Sequence, residues 1–387
     1  MKKKVISMML AGAMVLSVTA CGGKEDSAQT GTNTESAGAE TDAGAAADAG
    51  ADTGAAEQEG PVELVVTTTF AGEDSNAQNY KDAVKAWEAE TGNSVVDTSA
   101  TADETFKTRV ATDFETGSEP DVLFFFNGAD SNSFIEAGKV VSIDEIRAAY
   151  PDYASNMNED LITASLVDDK KYAVPANGYW EAMFVNTEVL DAAGVAMPGA
   201  DYTMDQFKAD CEKIKAAFLI DGSWKVGGIV SSCQSDPNDP ATLDTAKLDK
   251  FDVTYVPGKG SRKATDLVGG LSSGYFITRK AWDDPAKRAA AVSFVEYLTS
   301  DEMVPKFAQH GASALKNAPE VDSSEFNSLQ IKAMNMMAGT TSLTGAVQDL
   351  FAGDCRVSTF DGMPEIVTGR VAAEDAVAEG LEAYHNQ

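Results

Sequence analysis

Asp121-Val122-Leu123-Phe124-Phe125-Phe126, with Pro120 before it and Asn127-Gly128-Ala129-Asp130 after it, is the stretch that decides the fold class. An unbroken apolar run of this length, closed by turn-forming residues, reads as a strand buried on both faces. Upstream, Phe106, Val110 and Phe114 recur at helical spacing, and Gly117 can stop the helix they define. Before that helix, Ser94 to Val96 begins a short strand. Earlier still, Tyr80, Val84 and Trp87 share one face of a helix that Gly92 can end, and Val62 to Thr68 alternates as a strand. The order is βαβαβ, which predicts a layered α/β protein with Trp87 in its core. Downstream the alternation continues with a helix near Phe134, strands near Tyr172 and Met183, and a helix from Glu188 closed by Gly194. Asp284-Pro285 supplies an N-cap and a first-turn proline for a helix carrying Ala289, Val292 and Val295, and Val377, Leu381 and Tyr384 stripe a last helix.

The amino terminus has another character. Lys2, Lys3 and Lys4 precede an apolar run from Val5 to Thr19 that is shorter than the roughly twenty residues of a membrane span, which predicts a signal peptide over 1–20. From Gly22 to about Gly60 the chain is Ala, Gly, Thr, Ser, Asp and Glu, too polar to offset its ordering entropy, and reads as an acidic, extended tether. The remaining 61–387 is long for one core and natural for two lobes. A formal charge of -31, from 30 Lys and Arg against 61 Asp and Glu, argues against nucleic acid as a partner. His310 and His385 stand far apart, no His/Cys cluster has metal-ligand spacing, and neither a metal nor another cofactor is expected. Cys211, Cys233 and Cys355 read as unpaired thiols.

In open α/β sheets, ligands bind beyond the carboxyl ends of the strands, which makes Asn127 and Asp130 candidates to bind ligand; Asp130 alternatively caps the helix holding Phe134. Gly269-Gly270 lets a backbone approach ligand or simply forms a turn, and Asp361 is a candidate whose plainer use is a turn or cap. The chain has no HExxH or Walker loop, so an enzyme, for instance a glycoside hydrolase using two carboxylates, is the weaker alternative to a binding protein.

In order along the chain come Trp87-Glu88-Ala89-Glu90-Thr91-Gly92, Pro120-Asp121-Val122-Leu123-Phe124, Gly138-Lys139-Val140-Val141, Tyr172-Ala173-Val174-Pro175 and Phe184-Val185-Asn186-Thr187. They are followed by Phe218-Leu219-Ile220-Asp221-Gly222-Ser223-Trp224, Gly274-Tyr275-Phe276-Ile277 and Phe294-Val295-Glu296-Tyr297-Leu298-Thr299-Ser300. This ordered set resembles the family 1 extracellular solute-binding proteins, the maltose-binding-protein-like lipoprotein components of carbohydrate ABC transporters. The stretch Ser17-Val18-Thr19-Ala20-Cys21 similarly resembles a lipobox, which implies that Cys21 is lipidated and holds the protein on the extracytoplasmic face of a bacterial cell membrane. The resemblance implies two α/β lobes joined by a hinge, lobe 1 over about 61–172 plus part of 265–320 and lobe 2 over about 173–264 plus part of the C-terminal helices. It implies a monomer that performs no reaction, captures solute in the interlobe cleft and delivers it to the membrane permease of an ATP-driven importer. A sugar or oligosaccharide is the expected ligand, with a polyamine, a metal chelate or a peptide as alternatives; a sensor or interaction protein on the same fold is another reading. By the resemblance, Trp224 stacks on a pyranose or lies in a lobe core, and Tyr179 and Trp180 fall where the hinge-proximal pocket residues sit.

One interval departs from the family. Members place several helices between the helix beginning Thr203-Met204-Asp205-Gln206 and the strand leading to Asp221-Gly222-Ser223-Trp224, and here they are missing. Thr203 and Gln206 form a capping box, and Phe207, Cys211, Ile214 and Phe218 continue one stripe, so periodicity allows a single helix up to Gly222, whereas the family pattern wants a strand over Phe218 to Ile220. A chain lacking that interval reads either as a compact variant of the fold or as a non-functional, internally deleted one whose second lobe is incomplete and exposes apolar surface.

Overall fold

The computed structural model describes residues 60–387 apart from 215, 238, 309–312, 318–325, 352 and 386–387. The signal peptide, Cys21, His310 and nearly all of the tether lie outside the described residues. The chain enters through Glu63–Thr67 (β1), Ala77–Thr91 (α1), Ser94–Asp97 (β2), Glu104–Thr116 (α2), Val122–Phe126 (β3), Asn132–Glu136 (α3) and Ile143–Ala149 (α4). Gly92, Gly117 and Gly194 all take the left-handed conformation that ends a helix. Asp103 starts α2 by accepting from the Phe106 N–H at 2.7 Å.

Next come Tyr179–Asn186 (β4), Thr187–Ala193 (α5), Met204–Cys211 (α6), Phe218–Gly222 (β5), Lys225–Ser232 (α7), Thr245–Leu248 (α8), Phe251–Thr254 (β6) and Asp266–Gly270 (β7). The chain then returns through Ser273–Ile277 (β8), Arg279–Asp283 (α9), Pro285–Leu298 (α10) and Val304–Phe307 (α11). It closes with Ser328–Ala338 (α12), Ser342–Thr344 (β9), Gly353–Val367 (α13) and Ala373–His385 (α14). The strand expected near Tyr172 is reduced to isolated bridges, Ala164 with Lys171 and Val174 with Tyr275.

Two sheets result. The first has the order β2-β1-β3-β8, and the second β5-β4-β7-β9 with β6 also paired to β4. Strand β3 explains the first by itself. Val122 and Phe124 join the cluster under α1 and α10 that contains Trp87 and Phe294, while Leu123 and Phe125 join Phe106, Phe114 and Phe134 on the other face. Alternate side chains of a strand point to opposite faces, so a run without polar residues requires helices on both sides. Strand β4 does the same for the second sheet: Trp180, Ala182 and Phe184 meet Val226, Leu248 and Leu329, and Met183 and Val185 meet Leu190, Tyr202 and Ile214.

One reading left open between helix and strand is decided here, and one is corrected. The helix begun by Thr203, whose capping box is formed, ends at Cys211, and Phe218–Gly222 is a strand, not a helical continuation. Five registered pairs with β4, from Glu181 opposite Gly222 to Val185 opposite Phe218, outweigh the local stripe, and Phe207 still meets Phe218 with ring centroids 5.3 Å apart. Tertiary pairing overrides helical periodicity when a partner strand is waiting. Strand β5 ends the sheet, with Leu219 and Ile220 about half exposed, at 45% and 46%. The last stripe is likewise reversed: α14 lays Ala376 and Gly380 against α13 and turns Val377 and Leu381 outward.

Candidate ligand-binding cleft

Several segments distant in sequence position a cleft of about 670 Å³. The loop after β1, Thr69 to Asn76, and the start of α2 form one wall; Asn177 to Tyr179, Glu181 and Asp221 to Lys225 form the other. Ser272 and Ser273 lie where the chain crosses from β7 to β8, and Gln348 and Asp349 close one end. The floor on the side of the first sheet is aromatic, with Phe70 and Phe124 ring centroids 4.5 Å apart and Phe307 5.4 Å from Phe70.

On the opposite wall Tyr179 and Trp224 lie with centroids 6.1 Å apart and planes inclined by 36°. Trp224 follows β5, and the Ser223 N–H carries the ladder one step further by donating to the Trp180 carbonyl at 2.8 Å, so the strand pairing aims the indole. The ring lies directly over Gly222, where a Cβ would overlap it. The Tyr179 hydroxyl accepts from the Ala346 N–H at 3.2 Å and thereby fixes the segment that delivers Asp349. Gly227 of α7 comes so close to the first wall that a Cβ there would stand 2.6 Å from Ser75 Cα.

Seven carboxylates line the cleft, those of Glu73, Asp74, Asp103, Glu104, Glu181, Asp221 and Asp349, against the two ammonium groups of Lys107 and Lys225. Lys107 is held by Asp130 at 2.9 Å and Glu104 at 3.4 Å, and Lys225 stands 3.9 Å from Asp221. Among the described residues Glu73, Glu181 and Asp349 form no ion pair. Burial pushes the carboxyls of Asp74 and Asp349 up to about 6. Burial, and then the neighbouring carboxylates Asp221 and Asp349, also raise Glu181. Among the described residues no group of three His, Cys, Asp or Glu side chains is arranged to hold a metal ion.

Of the residues proposed from sequence, Tyr179 and Trp224 are brought together in this wall. The others are placed elsewhere. Trp180 is fully buried in the core of the second sheet, because the strand alternation that sends Tyr179 to the cleft turns its neighbour inward. Asp130 is buried between Lys107 and Arg356, the latter 2.9 Å away, and so ties α13 to the first sheet. Asn127 is buried, its N–H donating to the Ser272 carbonyl at 2.6 Å. Gly270 pairs with Tyr179 behind the cleft wall. Asp361 is exposed in α13 and does not line the cleft.

Glu181, Asp349 and the Glu73-Asp74 loop were missed. Glu181 had a signal, a lone carboxylate inside Tyr-Trp-Glu-Ala-Met-Phe-Val; the loop follows the carboxyl end of β1, where the rule applied to β3 holds equally. Asp349 had none, since it arrives from a distant part of the chain. Cys211, Cys233 and Cys355 are all free thiols, the last two buried.

A two-sheet α/β frame thus carries a cleft where the strands cross from one sheet to the other, a place where small-molecule sites are common. Residues 72–232 match the model of the family described as bacterial extracellular solute-binding protein. No curated protein matches the chain. Among solved structures, a chitin oligosaccharide binding protein is similar at 16% identity and TM-score 0.67, over 84% of this chain and 98% of its own. An ABC substrate-binding protein from Listeria monocytogenes in complex with cycloalternan is similar at 13% identity and TM-score 0.63, over 84% and 99%. The maltose/maltodextrin-binding domain of Bdellovibrio bacteriovorus bound to maltotriose matches at 16% identity and TM-score 0.59, over 84% and 99%.

Proposed function

We propose that this protein is the external receptor of an ATP-driven importer, binding a sugar or oligosaccharide between its two sheets and presenting it to a membrane permease. The observation that carries the reading is the Tyr179–Trp224 pair on the wall of a cleft that is also lined by carboxylates. Sugars have apolar C–H faces and hydroxyl rims, so they need an aromatic platform beside acceptors. The similar structures named with chitin oligosaccharide, cycloalternan and maltotriose support that ligand class. The protein binds without chemistry and acts as a monomer. Removal of residues 1–20 leaves Cys21 as a lipidated first residue, and 21–60 spaces the binding domain from the membrane face.

The test is a thermal melt of the full chain alone and with a panel of mono- and oligosaccharides. Ligand at a hundred times its Kd adds about 2.7 kcal/mol and raises Tm by roughly 5 degrees. A panel that leaves Tm unmoved sinks the sugar reading. Anchoring is checked separately: Cys21→Ala abolishes incorporation of labelled fatty acid, and labelling that persists refutes the anchor.

A further inference from the structure

The cleft qualifies as a binding site by its volume and its aromatic walls, independently of charge, and its charge then discriminates among ligands. Both of its ammonium groups are engaged by carboxylates, Lys107 by Asp130 and Glu104 and Lys225 by Asp221. Arg356, whose charge also acts on Asp349, is taken by Glu104 and Asp130 at 2.8 and 2.9 Å. Half-buried Asp74, Glu181 and Asp349 therefore face the cavity without a cationic partner among the described residues. Each is partly desolvated, and the cations nearest Asp349, Lys107 and Arg356, are themselves paired with Glu104 and Asp130, so an excess of negative charge remains that costs free energy until a counter-charge arrives. Hydroxyl groups of a neutral sugar can donate to these oxygens but leave the charge in place. An anionic ligand would add repulsion. A bare metal ion needs converging ligands, and none is arranged among the described residues.

Resting on the receptor reading above, we infer that the natural ligand is a saccharide bearing a protonated amine, its ring face on Trp224 and Tyr179 and its ammonium group on the carboxylates of Glu181 and Asp349. The ring supplies the apolar face that the indole requires, and the ammonium donates hydrogen bonds while cancelling charge. The formal charge of -31 on the whole chain also favours encounter with cations over anions.

Isothermal titration of the full-length protein decides it, with four probes: a glucosamine oligomer, its N-acetylated counterpart, a glucose oligomer of the same length and spermidine. The glucosamine oligomer is expected to bind about ten-fold or more tighter than the acetylated and glucose oligomers, with an affinity that falls as salt is raised. Glu181→Gln and Asp349→Asn each weaken it about ten-fold, while their melts stay at or above that of the parent and show the fold intact. Asp361→Asn, which alters an exposed carboxylate outside the cleft, leaves the affinity unchanged. Neutral oligomers binding as tightly, or glucosamine affinity indifferent to both variants, overturns the inference and leaves the sugar receptor standing. Spermidine binding as tightly as the amino sugar overturns the saccharide reading itself, and binding by none of the four overturns both.

Discussion

Trp224 and Gly222 show how a single position sets the cleft. The indole lies on a residue that lacks a side chain, so Gly222→Ala must displace it although the strand can still form. Loss of a stacking platform is worth about one to two powers of ten in Kd, and Trp224→Ala and Gly222→Ala should both show it by titration with the sugar identified in the melt. Asp74 and Asp349 give a pH signature. Their folded carboxyls are pushed up to about 6, above the unfolded value of about 4, so the folded state holds more protons between those limits. Their destabilisation is complete above about pH 6 and is relieved as pH falls towards 4. Asp349 faces Lys107 on α2, Asp130 beyond β3 and Arg356 on α13, and the two cations moderate the rise without abolishing it. Asp74→Asn together with Asp349→Asn should flatten the dependence of Tm between pH 4 and pH 7, a range read directly from melts at a series of pH values.

At the scale of elements, two contacts separate what stabilises the fold from what exposes it. Buried Asp121, at the start of β3, accepts from the Val65 N–H at 2.8 Å and pairs with Lys287 of α10 at 2.6 Å, joining strand and helix across the first sheet. Asp121→Ala leaves Lys287 without its counter-charge and is expected to cost about 3–5 kcal/mol, measured by denaturant unfolding. Strand β5 is the opposite case. It ends its sheet with Leu219 and Ile220 turned to solvent, and an apolar edge is a template for pairing with another chain. Ile220→Lys should therefore reduce concentration-dependent light scattering without lowering Tm. The elements were legible where one residue pattern had one solution: β3, the helix with Trp87 and Phe294 against it, the Asp284 cap that accepts from the N–H groups of Ala286 and Lys287. Around 215–222 the stripe through Phe207 and Phe218 fitted a helix, and only the presence of β4 beside it made it a strand.

Across the whole molecule, the cleft's two walls approach each other where Gly227 of α7 faces Ser75, and a side chain at 227 would press against that contact. Gly227→Val should weaken ligand binding, and small-angle scattering should show a ligand-induced compaction in the parent that is lost in the variant; compaction unchanged by the substitution would put the closing contact elsewhere. The sequence by itself determined the α/β class, the helix caps and the core status of Trp87, because period and capping are local and survive without a fold. Tertiary structure alone decided that Asp130 ties α13 to the first sheet, that Trp180 points inward, and that Glu181 and Asp349 share one cavity. Those outcomes depend on which distant segments pack together, since a carboxylate becomes a tether or a ligand-facing group according to the charge that long-range packing sets beside it.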